Sequence, residues 1–223
     1  MTSPEARARV PIRAQEVFIP AGARRLGGEL HVPAGACGVV LFAHGSGSSR
    51  RSPRNRYVAR VLQDSGLATL LMDLLEEEEA DDRDKVFDVE LLAARLGEAM
   101  RWLAADPRTF PLALGLFGAS TGAAAALIAA AEAPARVAAV VSRGGRPDLA
   151  AAWLPKVRAP TLLIVGERDV PVRDWNEDAL RLIPATKELA IVPRATHLFE
   201  EPGTLELAAR HASRWFTRHL GAG

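Results

Sequence analysis

The chain of 223 residues fits one domain and, at 48% hydrophobic residues, can bury a full core without disulfides or metal. Its 28 Lys and Arg balance 27 Asp and Glu to a formal net charge of +1, which gives no ground for nucleic-acid or membrane binding. The single cysteine, Cys37, excludes an internal disulfide framework, and the polar start M-T-S-P-E-A-R-A-R-V lacks the apolar core of a secretion signal, so a reducing cytoplasm is the expected setting.

Residues 1–14 read as an N-terminal tail and 15–223 as one α/β domain. Glu16 to Ile19 and Leu30 to Val32 read as strands flanking the turn-rich A-G-A-R-R-L-G-G. Gly38 to Ala43 is a continuous apolar run, the pattern of a strand buried on both faces. Ser52-Pro53 reads as a helix cap with proline in the first turn, and Tyr57, Val58, Val61 and Leu62 share a face of the helix that follows. Ala68 to Met72 is the next buried strand. The acidic run after it, Glu76 to Asp82, reads as a solvated loop rather than a metal site.

Strands and helices then alternate. A helix over Val89 to Ala105 carries Leu92, Leu96, Met100 and Leu103 at helical spacing. Leu112 to Phe117 is a strand, Thr121 to Ala133 a helix, Val137 to Val141 and Thr161 to Val165 strands, and Trp175 to Leu182 a helix. Glu188 to Val192 is the last strand, and Thr204 to about Leu220 the last helix. Such alternation predicts a mostly parallel central sheet with helices on both faces, and functional residues just after strand ends.

Gly118-Ala119-Ser120-Thr121-Gly122 fits G-x-S-x-G between an apolar strand and a helix-prone Ala-rich stretch, the context a nucleophile elbow requires. The plain alternative is a glycine-rich turn joining strand to helix. A serine hydroxyl needs a general base. Of the five histidines, His31 lies in the opening hairpin, His44 ends the first buried strand, and His211 and His219 fall in the last helix. His197 sits in the loop A-T-H-L-F after the last strand, at the sheet edge where Ser120 is expected. Asp169, in G-E-R-D after a strand, is preferred over Glu167 and Asp174 as the carboxylate that fixes the imidazole tautomer.

The order Ser120, Asp169, His197 is the one expected of this scaffold. The oxyanion donors are expected to be the N–H of Thr121 and, from the loop His44-Gly45-Ser46-Gly47, that of Ser46. A phosphate-binding reading of that loop fails, because neither a Gly-Lys-Ser/Thr ending nor the G-x-G-x-x-G spacing is present. His44 reads as structural.

The H-G-S-G-S-S loop, the G-A-S-T-G elbow, the G-E-R-D acid loop and the A-T-H-L-F histidine loop resemble the α/β-hydrolase superfamily and, within it, the dienelactone-hydrolase-like group, from about Val17 to Leu220. The resemblance implies the Ser120, Asp169, His197 triad, no cofactor, no metal, and hydrolysis of small carboxylic esters or lactones. The namesake enzymes use cysteine where this chain has Ser120, which favours a general esterase. Only Ser142 to Pro160 separates the two strands between which related enzymes often insert a cap, so no large lid and an open site are expected.

Arg50 and Arg51 follow the H-G-S-G-S-S loop, and Arg143 and Arg146 follow a strand. The plainer reading pairs them with the acidic loop. The other makes them a rim for an acidic group on the substrate, with Arg143 and Arg50 as its candidates. The expected partner is a small-molecule ester or lactone, and nothing in the sequence sets an oligomeric state. An acyltransferase or peptidase would share the same acyl enzyme, and a non-catalytic small-molecule receptor could use the same fold.

Overall fold

The computed structural model describes residues 14–221. The predicted tail lies outside them except for Ala14. The chain opens with β1 (Gln15–Ala21) and β2 (Arg24–His31), antiparallel across the turn Gly22-Ala23, where Gly22 takes φ 63°. Much of the stretch that reads as a turn in the sequence is therefore strand. Its glycines are packing devices: a Cβ on Gly27 would stand 1.7 Å from the Arg50 guanidinium, and one on Gly28 would meet Ile19, Val17 and Leu70.

Six strands follow: β3 (Val39–Ala43), β4 (Ala68–Met72), β5 (Leu114–Ala119), β6 (Val137–Arg143), β7 (Thr161–Gly166) and β8 (Lys187–Val192). Every residue of β3, β4, β5 and β7 is buried, as their unbroken apolar runs predict. The sheet order is β1-β2-β4-β3-β5-β6-β7-β8, with only β1 and β2 antiparallel to their neighbours. This is an α/β fold with a mostly parallel sheet.

Seven helices are present among the described residues. α1 (Pro53–Asp64) starts where Ser52 Oγ accepts the Asn55 N–H at 3.3 Å. The acidic run is not a loop: it forms α2 (Glu77–Ala80) and leads into α3 (Arg83–Phe87). Glu79 in α2 is buried because Arg24, Lys85 and Arg95 surround its carboxylate. α4 (Val89–Ala105), α5 (Thr121–Glu132), α6 (Val170–Leu182) and α7 (Thr204–Leu220) complete the set. α6 begins earlier than the periodicity suggests, because Pro171 in its first turn is compatible with a helix start.

α4, α5 and α6 pack on one face of the sheet, and α1 and α7 on the other. Between β6 and β7 there are only two single-turn 3-10 helices, Pro147–Ala150 and Leu154–Lys156, and no large cap. No helix among the described residues is long and apolar enough to cross a membrane. From β3 the chain passes to β4 on one side and then returns to β5 on the other, so the loops leaving β3 and β5 diverge and open a crevice at the carboxyl edge.

Candidate active site

Ser120 stands at that crevice, between β5 and α5. Its backbone adopts φ 52° and ψ −122°, a region that costs a non-glycine residue about 1–3 kcal/mol and persists only where the surroundings enforce it. The enforcement is visible. A Cβ on Gly118 would lie 2.4 Å from Ala123 Cα, and one on Gly122 would lie 2.4 Å from the carbonyl oxygens of Ala43 and His44. The two glycines of the motif thus let strand, helix and the neighbouring loop close on the serine. Its backbone is fixed from β6 as well: Ser120 N–H donates to Arg143 O at 3.3 Å, and Arg146 N–H donates to Ser120 O at 3.1 Å.

Asp169 and His197 are brought together. His197 Nδ1 lies 2.6 Å from Asp169 Oδ2, and the carboxylate is largely shielded while the imidazole is half-buried. Asp169 is the residue before α6, yet its side chain turns to the imidazole rather than capping the helix. The rival carboxylates do other work. Glu167 accepts the Arg194 N–H at 2.7 Å, and Asp174 lies within α6, 3.5 Å from Arg173, instead of capping it. Glu201 accepts from both the N–H and the hydroxyl of Thr196, at 3.1 and 2.7 Å, which holds the histidine loop and depresses the Glu201 pKa.

Ser120 and His197 meet the same turn. The ideal Cβ position of Gly144 is 3.6 Å from His197 Cε1 and Nδ1, and Gly144 directly follows the residue that accepts from Ser120 N. Among the described residues no hydrogen bond joins Ser120 Oγ to the imidazole; the contact between the two elements runs through this turn.

On the other side of the serine, a Cβ on Gly45 would lie 2.9 Å from Ser120 Cβ, so the His44–Ser49 stretch presses directly on it. Ser46 N–H donates to Thr121 Oγ1 at 3.0 Å, which couples the two residues expected to supply oxyanion donors. The N–H of Thr121 itself, in the first turn of α5, has no acceptor within its helix. His44 is buried. Its Nε2 accepts from Leu74 N–H at 3.1 Å, which places the proton on Nδ1, 3.0 Å from Gly45 O; burial lowers its pKa. A cleft of about 930 Å³ runs from this loop to Asp73, Leu75 and the α2 segment.

The arginines separate into different cases. Arg50 borders the cleft, but its guanidinium is tied to Asp73 at 2.7 Å and to Glu16 at 2.9 Å, so its charge is already matched within the chain. Arg146 pairs with Asp148 at 2.7 Å and lies over Trp175. Arg143 is not on the rim but buried, with 7% of its surface exposed.

Three contributors are absent from the sequence reading. Asn55 touches Arg143. Phe199 takes a left-handed φ of 56° just beyond His197. Asn176, fully buried in α6, donates to Gly145 O at 3.0 Å and so steadies the turn that holds Ser120. Neither asparagine differs in sequence from a surface one.

The profile of the dienelactone hydrolase family matches residues 28–219. A crystal structure of dienelactone hydrolase from Anabaena variabilis ATCC 29413 is 59% identical, with a TM-score of 0.90 over 93% of this chain and 99% of that one. Est1E from Butyrivibrio proteoclasticus shares the fold at 14% identity, with a TM-score of 0.79 over 92% of this chain and 98% of its own. A Mycobacterium tuberculosis H37Rv protein named "putative phosphoribosyl transferase" is 57% identical over 216 residues, 97% of this chain. The chain spans about half the length of that relative, 49%.

Proposed function

Since the chain belongs to the dienelactone hydrolase family, whose members and structural neighbours are α/β hydrolases, we propose that it is a serine hydrolase of small carboxylic esters or lactones, acting through an acyl enzyme on Ser120. The observation that carries this reading is the 2.6 Å pair of His197 Nδ1 and Asp169 Oδ2 beside a serine whose φ of 52° presents it at the sheet edge. With Nδ1 bound to the carboxylate, Nε2 is the free basic atom. It takes the Ser120 proton as Oγ attacks the carbonyl, and returns it to the leaving alcohol. Water then attacks the acyl enzyme with Nε2 as base. The hydrogen bond from Oγ to Nε2 forms when substrate fills the crevice, as such bonds tighten on binding.

The developing oxyanion takes the Thr121 N–H, aided by the positive end of α5. The Ser46 N–H is the second donor, with the oxyanion replacing Thr121 Oγ1 as its acceptor. The transferase name of the mycobacterial relative belongs, in this reading, to the half of that protein that this chain does not match.

The test is labelling with a fluorophosphonate probe, together with a panel of p-nitrophenyl esters of rising acyl length. Labelling maps to Ser120, short acyl groups react faster than long ones, and Ser120→Ala lowers kcat by at least about 10⁴-fold. A wild-type protein that stays unlabelled, or a Ser120→Ala variant of undiminished rate, refutes the reading.

A further inference from the structure

No hydrogen bond among the described residues joins Ser120 to His197, so their spacing depends on the turn of residues 143–146, which touches both. Arg143 O accepts from Ser120 N–H at 3.3 Å, and Arg146 N–H donates to Ser120 O at 3.1 Å. The ideal Cβ position of Gly144 lies 3.6 Å from the His197 ring. The turn is anchored from two further elements. Gly144 N–H donates to Ile164 O on β7 at 2.8 Å, and Asn176 Nδ2 donates to Gly145 O from α6 at 3.0 Å. Gly145 is also pressed between β6 and α5: a Cβ there would run into Ser142 Oγ and lie 2.7 Å from Ala123 Cβ.

Asn176 is fully buried, and its Oδ1 finds no donor among the described residues. A carbonyl left without a donor in the interior is costly, and leucine of similar size would fill the place without that cost. What leucine lacks is the donor to Gly145 O. The helix that carries this donor also begins at the triad acid. Asp169 precedes its first turn and holds His197 Nδ1 at 2.6 Å, and Asn176 stands two turns further along.

We propose that Asn176 is a positioning residue for the nucleophile: by holding Gly145 O it sets the turn that carries Ser120 against His197, so that α6 aligns both ends of the triad. The inference rests on the hydrolase reading above. Moving Gly145 moves its neighbours Arg143 O and Arg146 N, the two atoms that grip the Ser120 backbone. Nε2 takes the Oγ proton only over about 2.6–3.2 Å, and a misplacement of about 1 Å can cost about 10²-fold in rate. Asn176 is buried behind the turn, away from the oxyanion loop and the cleft, so its effect falls on kcat and not on KM.

The test uses Asn176→Leu and Asn176→Asp in the full chain, with a short-acyl p-nitrophenyl ester and a fluorophosphonate probe. Asn176→Leu exchanges one unpaired carbonyl, Asn176 Oδ1, for another, Gly145 O, so it should fold with a Tm within about 4 °C of the wild type. Its kcat falls roughly 10- to 100-fold while KM stays within about 2-fold, and labelling of Ser120 slows in the same proportion. The downfield proton resonance of His197 Nδ1–H persists, because the bond to Asp169 does not pass through Asn176.

Asn176→Asp keeps the shape. Buried and facing a carbonyl oxygen, its carboxyl stays protonated at neutral pH and donates to Gly145 O as the amide does. Its kcat is therefore near that of the wild type at pH 7, and drops toward the Asn176→Leu value at alkaline pH, where the wild type stays flat. A kcat and labelling rate for Asn176→Leu within about 2-fold of the wild type overturn the proposal. So does a loss of activity that unfolding accounts for, loss of the Nδ1–H resonance, or an Asn176→Asp profile that follows the wild type into the alkaline range. A wild type that the probe never labels overturns the hydrolase reading instead.

Discussion

The two flanks of the Ser120 crevice are built by different means. On the β7–β8 flank, which carries Asp169 and His197, the loops are locked by backbone contact. Glu167 N–H donates to Val192 O at 3.0 Å, Arg168 N–H donates to Ala195 O at 2.9 Å, and a Cβ on Gly166 would lie 2.4 Å from Ala195 O. On the opposite flank, α2 and α3 are held over the β1–β2 hairpin chiefly by charge. Arg24 bonds Glu76, and Glu79 gathers Arg24, Lys85 and Arg95 at 3.2 to 3.7 Å. Tight backbone contact fixes position to tenths of an ångström and is insensitive to salt; ion pairs between long side chains do neither. A reaction that depends on placing an imidazole against a hydroxyl belongs on the first flank, and a wall that adapts to a substrate belongs on the second.

Three substitutions probe this contrast, in falling order of effect. Asp169→Asn keeps the shape of the β7–β8 flank but loses the acceptor that fixes the His197 tautomer. Ester hydrolysis at neutral pH should fall by about 10³–10⁴-fold with little change in melting temperature; a loss below tenfold would remove Asp169 from the mechanism. Gly166→Ala forces a methyl group into the Ala195 carbonyl. It should cost about 3 kcal/mol in urea denaturation, the upper end for overpacking, and lower activity beyond what lost stability explains. Glu79→Gln strips the buried carboxylate from its cations on the other flank. About 2 kcal/mol should be lost, with faster proteolysis between residues 76 and 88, and the deficit should shrink at roughly 1 M salt, where screening reaches about 3 Å. A deficit independent of salt would mean that α2 is held by packing after all.

The sequence is legible on the two flanks to different degrees, for the same reason. β3, β5, α5 and the histidine loop are written in local signals: apolar runs, small residues around Ser120, and a histidine and an aspartate each after a strand. Such signals survive without knowledge of partners. The acidic run reads as solvent-exposed because its cations, Arg24 and Arg95, lie far from it in the chain, and the sequence does not show that the β1–β2 hairpin delivers one of them. Gly27 and Gly28 read as a turn because the Arg50 side chain that crosses Gly27 comes from another element. Arg143 is the sharpest case. Its position after a strand is visible, but its burial between Phe117 and Phe199 depends on three separate elements and leaves no periodic trace.

The smallest effect is a pH dependence at the joint between the flanks. His44 ties its own loop, His44 to Ser49, to the start of the acidic side by accepting the Leu74 N–H, which only a neutral imidazole can do. Burial lowers its folded pKa below the ordinary 6.5. Between those two values the unfolded chain binds a proton that the folded chain does not, so stability falls as pH drops below about 6.5, by at most about 1.4 kcal/mol per pH unit for this group. His211 and His219 are shifted the same way by burial and add to the slope. Glu76, Asp106 and Glu201, whose pKa values are depressed by their hydrogen bonds, begin to lose their contribution only below their ordinary values of 4.5, 3.8 and 4.5, so they leave the window from pH 6.5 to 5 to the histidines. Melting temperatures of wild type and His44→Gln across that window isolate the term. The variant should start less stable at pH 7.5 and decline less steeply on acidification; an undiminished slope would assign the titration to the two histidines of α7.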